Sequence, residues 1–119
     1  MEITEQLWAK RIDDCKAVLL SIPFFLYGFC YMDVVEFDSD FHLSSLVHQG
    51  GFSGFRIITD SRERLEQIGD WCLRCGAVRE YYSETLLALA VENGAARDAV
   101  VAHLQELSDR GEISIDTVY

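Results

Sequence analysis

Residues 55–91 read FRIITDSRERLEQIGDWCLRCGAVREYYSETLLALAV, and they hold the clearest alternation of strand and helix patterns in this chain of 119 residues. Residues 60–63, DSRE, have the form of a capping box, in which an oxygen side chain is followed three residues later by glutamate. The next apolar residues recur at helical spacing: Leu65, Ile68, Cys72 and Cys75. Gly76 stands where a left-handed C-cap is expected. The stretch therefore predicts one helix between a strand over 55–59 and two strands over 78–82 and 86–91.

The rest of the C-terminal half extends this pattern. Asn93-Gly94 opens a second predicted helix, which Gly111 closes, and residues 113–118 alternate apolar and polar side chains as a strand does. The apolar stripe of that helix is Ala96, Val100, Leu104 and Leu107. From residue 55 the order is strand, helix, strand, strand, helix, strand. This is the ferredoxin-like split βαβ pattern, in which two helices cover one face of an antiparallel sheet.

The N-terminal half reads mainly as β-structure. Two short apolar runs, 7–12 and 17–22, are parted by Asp13-Asp14, and this arrangement favours a hairpin. A helix over residues 3–20 is the alternative, because several apolar residues there could share one helical face.

Further strands are predicted over 33–37 and 41–48, and the glycine-rich residues 50–54 read as a loop between strands. We therefore expect an α+β fold in a single domain over 1–119. A small β-barrel-like or hairpin region (1–54) would precede a ferredoxin-like βαββαβ half (55–119).

Composition limits the kinds of partner. Twenty acidic side chains face ten basic ones, which gives a formal net charge of −10. Such a charge repels nucleic acids and anionic membranes, so the expected partner is a basic protein. The simpler alternative is that the acidity only maintains solubility. No signal peptide or membrane span is recognisable, and four cysteines without an export signal predict free thiols in the cytoplasm.

The sequence carries no recognisable catalytic apparatus. Cys72-Leu73-Arg74-Cys75 is the one motif with metal or redox potential, but it continues the apolar helical stripe and has no second ligand pair. The three histidines are scattered, and the glycine-rich residues 50–54 lack the lysine of a phosphate-binding loop. We therefore expect no enzyme activity, no cofactor and no metal, and we interpret the two cysteines as core residues.

The charge pattern suggests a contact surface. No lysine or arginine occurs between Lys16 and Arg56, while acids and aromatic residues alternate there. An acidic rim around aromatic anchors is a plausible binding surface for a basic partner. The predicted partner-binding residues are Asp33, Glu36, Asp38, Asp40, Phe41 and Tyr31. This hypothesis requires the surplus acids to gather on one exposed face; the alternative is that the aromatics are core and the acids are ordinary turn residues.

Four short motifs resemble a known family. They are 21–25 (SIPFF), 27–28 (YG), 32–35 (MDVV) and 51–56 (GFSGFR). Their order and spacing are similar to those of the bacterial family called domain of unknown function 4265, and the resemblance covers nearly the whole chain.

The match to this family is incomplete. Ser21 stands where the family has asparagine, Met32 where it has glycine, Phe52 where it has histidine and Gly54 where it has threonine. The family positions that this chain keeps are Gly28, Asp33, Ser53 and Arg56. For the kept Asp33 and Arg56 we favour a structural hydrogen bond or ion pair that fixes strands. The resemblance implies no activity.

Three functional hypotheses remain. By analogy with small acidic immunity proteins, the chain could be an inhibitor that neutralises a basic toxin by direct contact. It could instead inhibit a nuclease by imitating nucleic acid, or sense a small ligand in a pocket between its two halves. A homodimer through an exposed edge strand over 113–118 is a further expectation.

Overall fold

The computed structural model describes residues 5–25 and 28–117. These residues form eight strands and two helices. In chain order they are β1 (Ala9–Arg11), β2 (Lys16–Leu19), β3 (Val34–Phe37), β4 (Leu43–His48), β5 (Phe52–Ile58), α1 (Arg62–Arg74), β6 (Val78–Tyr81), β7 (Leu86–Glu92), α2 (Ala95–Asp109) and β8 (Ser114–Thr117). The predicted α+β class is confirmed.

The strands form two open antiparallel sheets of four strands each. The first sheet has the order β1-β2-β3-β4, so its first and last strands lie at opposite edges. A barrel requires these edges to pair, and the prediction of a small barrel is therefore wrong.

The helix alternative for residues 3–20 is also wrong for its described part. Asp13 closes the hairpin instead, because its Oδ1 accepts hydrogen bonds from the backbone N–H groups of Cys15 (2.9 Å) and Lys16 (2.8 Å).

The second sheet has the order β6-β7-β5-β8 and carries both helices. Its sequence of elements is the predicted one. The helices and the sheet share one buried cluster: Phe55, Ile57, Leu65, Ile68, Cys72, Ala77, Leu87, Leu89, Val91, Val100, Leu104 and Ile113. Among the described residues, neither helix combines the length and the apolar character needed to cross a bilayer. β8 lies at a sheet edge, as expected, while Val118 lies outside the described residues.

The ends of the two helices follow local sequence signals. The N-cap of α1 is Ser61, one residue later than the predicted capping box places it, and its side chain accepts a hydrogen bond from the Arg64 N–H at 3.2 Å. Gly76 adopts a left-handed φ of +93°, as its position after α1 predicted. Gly94 is the N-cap of α2, and Gly111 follows that helix with φ +74°.

The second sheet is also covered on its other face. β5 begins at Phe52, so the interpretation of residues 50–54 as a loop is wrong for its last three residues. Gly54 lies opposite Ala90 in the sheet, and these small residues leave room for another segment to approach closely. Ile22 and Cys30, from the connection between β2 and β3, bury their side chains in one cluster with Ala88 and Ala90. This connection therefore joins the two halves of the protein.

Met32, in the same connection, has a left-handed φ of +72°. A side chain in this region costs roughly 1 kcal/mol relative to glycine. Met32 is 37% exposed, so replacement by glycine or by alanine removes the same partly buried side chain beyond the β-carbon. We expect the free energy of unfolding of Met32→Gly to exceed that of Met32→Ala by about 0.5–1 kcal/mol in urea titrations, because only glycine relieves the left-handed backbone. Equal stabilities of the two variants would contradict this explanation.

Candidate protein-binding surface

An apolar groove crosses one face of the first sheet. The strand register places Ala17 opposite Val35 and Phe37 opposite Leu43, so these side chains share a face. Together with Leu19 they line a cavity of about 520 Å³. The N-terminal segment, residues 5–9, lines the same cavity. A cavity of this size and apolar character suits a bulky side chain or a small ligand.

Phe41 lines the same groove at the hairpin between β3 and β4 and is 75% exposed. Its ring stacks on Phe37 with centroids 5.8 Å apart and an interplanar angle of 24°. Its backbone has φ +62°, a left-handed conformation that is rare for a bulky residue and costs about 1–3 kcal/mol. A large aromatic ring that is both exposed and conformationally strained is a strong indicator of a binding position.

The hairpin tips beside this groove form an acidic end, which we define as residues 11–16 and 36–42. It contains five carboxylates and two cationic side chains, Arg11 and Lys16. The backbone amide of Phe37 donates to the Cys15 carbonyl at 2.9 Å, which holds the two tips together.

Asp38 organises the second of these tips. Its Oδ1 accepts hydrogen bonds from the backbone N–H groups of Asp40 and His42, both at 2.9 Å. The bond from His42 is the main cause that lowers the pKa of Asp38 below its ordinary value. A hydrogen bond from the Cys15 amide lowers the pKa of Asp13 in the same way. Both carboxylates therefore remain ionised at neutral pH.

The same turn gathers three potential metal ligands. One ligand atom from each of Asp38, Asp40 and His42 lies within 4.8 Å of the others, and all three residues are exposed. His42 therefore has two possible co-ligands beside it, although the three histidines are scattered in the sequence. The hydrogen bonds of the Asp38 turn explain this grouping fully, so it gives no reason to invoke an ion.

Three of the six predicted contact residues, Asp38, Asp40 and Phe41, lie together at the acidic end. Glu36 belongs to the same end but lies on the sheet face opposite to the groove. It pairs across the strands with Lys16 and Ser45, and the Ser45 hydroxyl donates to its Oε2 at 3.3 Å. Glu36 therefore adds charge near the groove without lining it.

The other two predicted contact residues are placed differently. Asp33 is 1% exposed, and its carboxylate accepts hydrogen bonds from the backbone N–H groups of Cys30 and Gly50, both at 2.8 Å. Tyr31 is half-buried and packs edge-on against Phe52, with ring centroids 5.1 Å apart. The prediction of Asp33 as a surface contact is wrong because burial removes it from reach, and Tyr31 belongs to the contact between the two halves.

The residues kept from the family pattern have structural partners. Arg56 is 4% exposed; its Nε donates to the Pro23 carbonyl at 3.2 Å, and its Nη1 lies 3.5 Å from the Asp116 carboxylate. The Ser53 hydroxyl bonds to the Asn93 side chain and accepts a hydrogen bond from Arg97. The structural interpretation of Asp33 and Arg56 is therefore confirmed, and Tyr27 of the same pattern lies outside the described residues.

The acidic surplus is divided equally between the two halves of the chain. Residues 1–54 hold eight acids and three bases, and residues 55–119 hold twelve acids and seven bases. That the surplus gathers on a single exposed face stays a prediction. The two halves differ in pairing, because several acids of the second half form ion pairs with arginine, such as Arg62–Glu66 at 2.9 Å and the contact between Arg79 and Asp70. At the acidic end the arginine pair is Arg11–Asp14, at 3.5 Å.

The cysteines of the CxxC motif are packed at the end of α1. Cys72 is fully buried, and burial raises the pKa of its thiol to about 12. Burial has the same effect on Cys30, whose pKa is also raised to about 12. The Cys72 and Cys30 thiols therefore stay protonated at neutral pH. Cys72 agrees with its interpretation as a core residue, whereas Cys75 is only half-buried and packs against the same cluster.

Comparisons with known proteins agree with the resemblance read from the motifs. Residues 5–115 match the model of the family described as Domain of unknown function (DUF4265). A crystal structure of a hypothetical protein from Neisseria gonorrhoeae is similar, with a TM-score of 0.74 and 15% identity over 94% of this chain and 80% of that chain. At this identity the likeness concerns the fold alone. No curated protein matches the chain.

Proposed function

Because this chain belongs to the DUF4265 family, whose description assigns no activity, we propose from the geometry that it is a binding protein for a basic protein partner. The partner binds on the grooved face of the first sheet. The observation that carries this proposal is Phe41, a strained aromatic residue 75% exposed at an apolar groove of about 520 Å³. Burying such a ring in an interface recovers apolar free energy of the size seen at interface hot spots.

The acidic end attracts partners that carry positive charge. Five carboxylates lie at the hairpin tips next to Phe41, and two of them are held ionised by backbone amides. Opposite charge accelerates the encounter of two proteins but adds little to the final affinity when the charges are exposed. The apolar groove then holds the complex. An immunity-type inhibitor of a basic toxin works in this way, and it is the biological role that we propose.

Two finer points belong to the same proposal. We propose that the second half is a ferredoxin-like unit, since its strand order β6-β7-β5-β8 and its two helices are those of a split βαβ fold. The alternative of a nucleic-acid mimic has less support. Asp13 and Asp38 direct carboxylate oxygens at backbone amides of their own turns, which leaves fewer of them to imitate phosphates.

Capture from a bacterial lysate with the immobilised protein tests the proposal. We expect one protein of net positive charge to be retained by the wild type and by Leu73→Ser, which alters an apolar residue that is 50% exposed on α1. Phe41→Ser should fail to retain the same protein. Retention of nucleic acid, or of the same proteins by all three forms, would contradict the proposal.

The rate at which the captured partner associates should depend on the salt concentration. We expect Asp14→Asn with Asp40→Asn to lower the association rate about threefold to tenfold at low ionic strength, because long-range attraction is weakened. The dissociation rate should change little. Surface plasmon resonance at two salt concentrations measures both rates, with Glu84→Gln, an exposed acid of the second half, as the matched control. A pure change in dissociation rate would disagree with the steering role of these acids.

A further inference from the structure

A second cavity lies on the other side of the N-terminal segment. It has a volume of about 530 Å³ and is bounded by residues 5–8, by residues 21–25 after β2 and by residues 80–82 at the end of β6. Its lining includes two glutamates, Glu5 and Glu80, and five aromatic residues: Trp8, Phe24, Phe25, Tyr81 and Tyr82. None of the described residues that line it is lysine or arginine. The cavity thus combines aromatic rings with two carboxylates. Two arginines outside the lining, Arg62 and Arg79, lie over the Tyr81 ring, 4.4 Å and 5.5 Å from its centroid.

Tyr82 is the centre of the aromatic group. Its ring lies 4.9 Å from the Phe25 ring at 88° and 5.1 Å from the Phe24 ring at 48°. Tyr82 is 57% exposed and Phe25 is 45% exposed, so this cluster is open to solvent. The electron-rich faces of such rings attract cations, and groups of rings around a pocket are how proteins bind quaternary and alkylated ammonium groups.

Both glutamates are held in place by backbone amides. Glu5 accepts hydrogen bonds from the N–H groups of Phe24 (2.7 Å) and Phe25 (3.1 Å), and Glu80 accepts one from the Ile22 N–H at 3.3 Å. These bonds connect the two carboxylates to one short stretch, residues 22–25. Burial raises the pKa of Glu80 above its ordinary value, and the negative charge of Glu5 raises it further. Two like charges at one cavity repel each other, and a bound cation would relieve that repulsion.

We propose that this cavity binds an alkylammonium group. The rings provide cation–π attraction, and Glu5 and Glu80 provide the countercharge. An anion would meet two carboxylates, and a neutral apolar ligand would gain nothing from them. The ammonium group can belong to a small amine or to a lysine side chain of another protein. The site adjoins the groove of the proposed function, because residues 5–8 line both cavities, but Phe41 lines only the groove.

A titration of the full chain, monitored by ¹H–¹⁵N NMR, tests this assignment. One pair of probes is choline and its neutral isostere 3,3-dimethylbutan-1-ol. The other pair is Nα-acetyl-lysine methylamide, which keeps its ε-ammonium group, and the corresponding norleucine derivative. We expect at least one cation to bind with a Kd of about 1 mM or tighter and its neutral counterpart to bind about tenfold more weakly. Shifts should concentrate at residues 5–8, 22–25 and 80–82. Stronger binding of choline would identify a small-molecule site, and stronger binding of the lysine derivative a protein site. Equal binding of charged and neutral probes, or no binding of either cation, would overturn the proposal.

Two variants connect the binding to the named residues. Tyr82→Leu removes an exposed ring and Glu80→Gln removes one charge without changing shape; each should weaken binding of the cation about tenfold. Glu84→Gln, an exposed acid outside the cavity, should leave it unchanged. Phe41→Ser should also bind the cation normally, so failure of the groove proposal would not affect this result. Unchanged binding by both cavity variants would show that the cation lies elsewhere.

Discussion

Asp33→Ala should lower the free energy of unfolding by about 3 kcal/mol, because one buried and one partly buried backbone N–H group would lose a charged acceptor. These are the amides of Cys30 and Gly50, each 2.8 Å from a carboxylate oxygen of Asp33. Water cannot replace the carboxylate easily, since Asp33 is 1% exposed and Cys30 is fully buried. Small domains are stable by only about 5–15 kcal/mol, so this loss would be a large fraction of the total.

Urea unfolding measured by circular dichroism tests this effect. Asp33→Asn should give an intermediate loss, since its amide oxygen can accept one of the two bonds while its NH₂ group meets the other N–H donor. Asp40→Ala is the matched control, because Asp40 is an exposed acid of the same half, and it should cost less than about 0.5 kcal/mol. If Asp33→Ala and Asp40→Ala had similar effects, the carboxylate would not be the element that holds this connection.

Phe41→Ser should weaken binding of the basic partner about 30-fold, which corresponds to roughly 2 kcal/mol. The ring is the most exposed large apolar group at the acidic end, and it extends the floor of the groove through its stack on Phe37. The effect should appear mainly in the dissociation rate, since an uncharged ring contributes little to long-range attraction. Binding to the captured partner, measured by calorimetry, gives the affinity.

Stability measurements separate this effect from unfolding. Phe41 is exposed and its backbone is strained, so Phe41→Ser should change the free energy of unfolding by less than about 0.5 kcal/mol. Leu73→Ser, in a helix of the second half, should leave the affinity unchanged. A stable Phe41→Ser protein that binds its partner with full affinity would remove the groove from the interface.

The sequence predicted the second half of the fold better than the first. Both helices carry long periodic patterns, and strand β7 is an unbroken apolar run whose residues 87–91 are all buried. Strands β1 and β2 contain three and four residues, which is too few alternations to set their limits. Glycine is typical of turns, so the sequence predicts a loop over Phe52–Gly54, whereas Gly54 is a buried residue of β5 that pairs with Ala90.

The candidate site was predicted only in part. Asp38, Asp40 and Phe41 are adjacent in sequence and so share one hairpin, which local patterns can indicate. Asp33 resembles them in composition, but its burial depends on the amides of Cys30 and Gly50, which the tertiary fold brings to it. Neither cavity has a local signal, because each combines residues 5–8 with strands distant in sequence.

The close contact of Ile22 and Cys30 with Ala88 and Ala90 has a consequence for how this protein can change. A larger side chain at either alanine would push the halves apart, so those positions tolerate almost no variation in volume. The exposed rim of the groove is made by other residues and carries no such restriction. Preference for a new partner can therefore arise by exchanging rim side chains one at a time, while the scaffold beneath them stays intact.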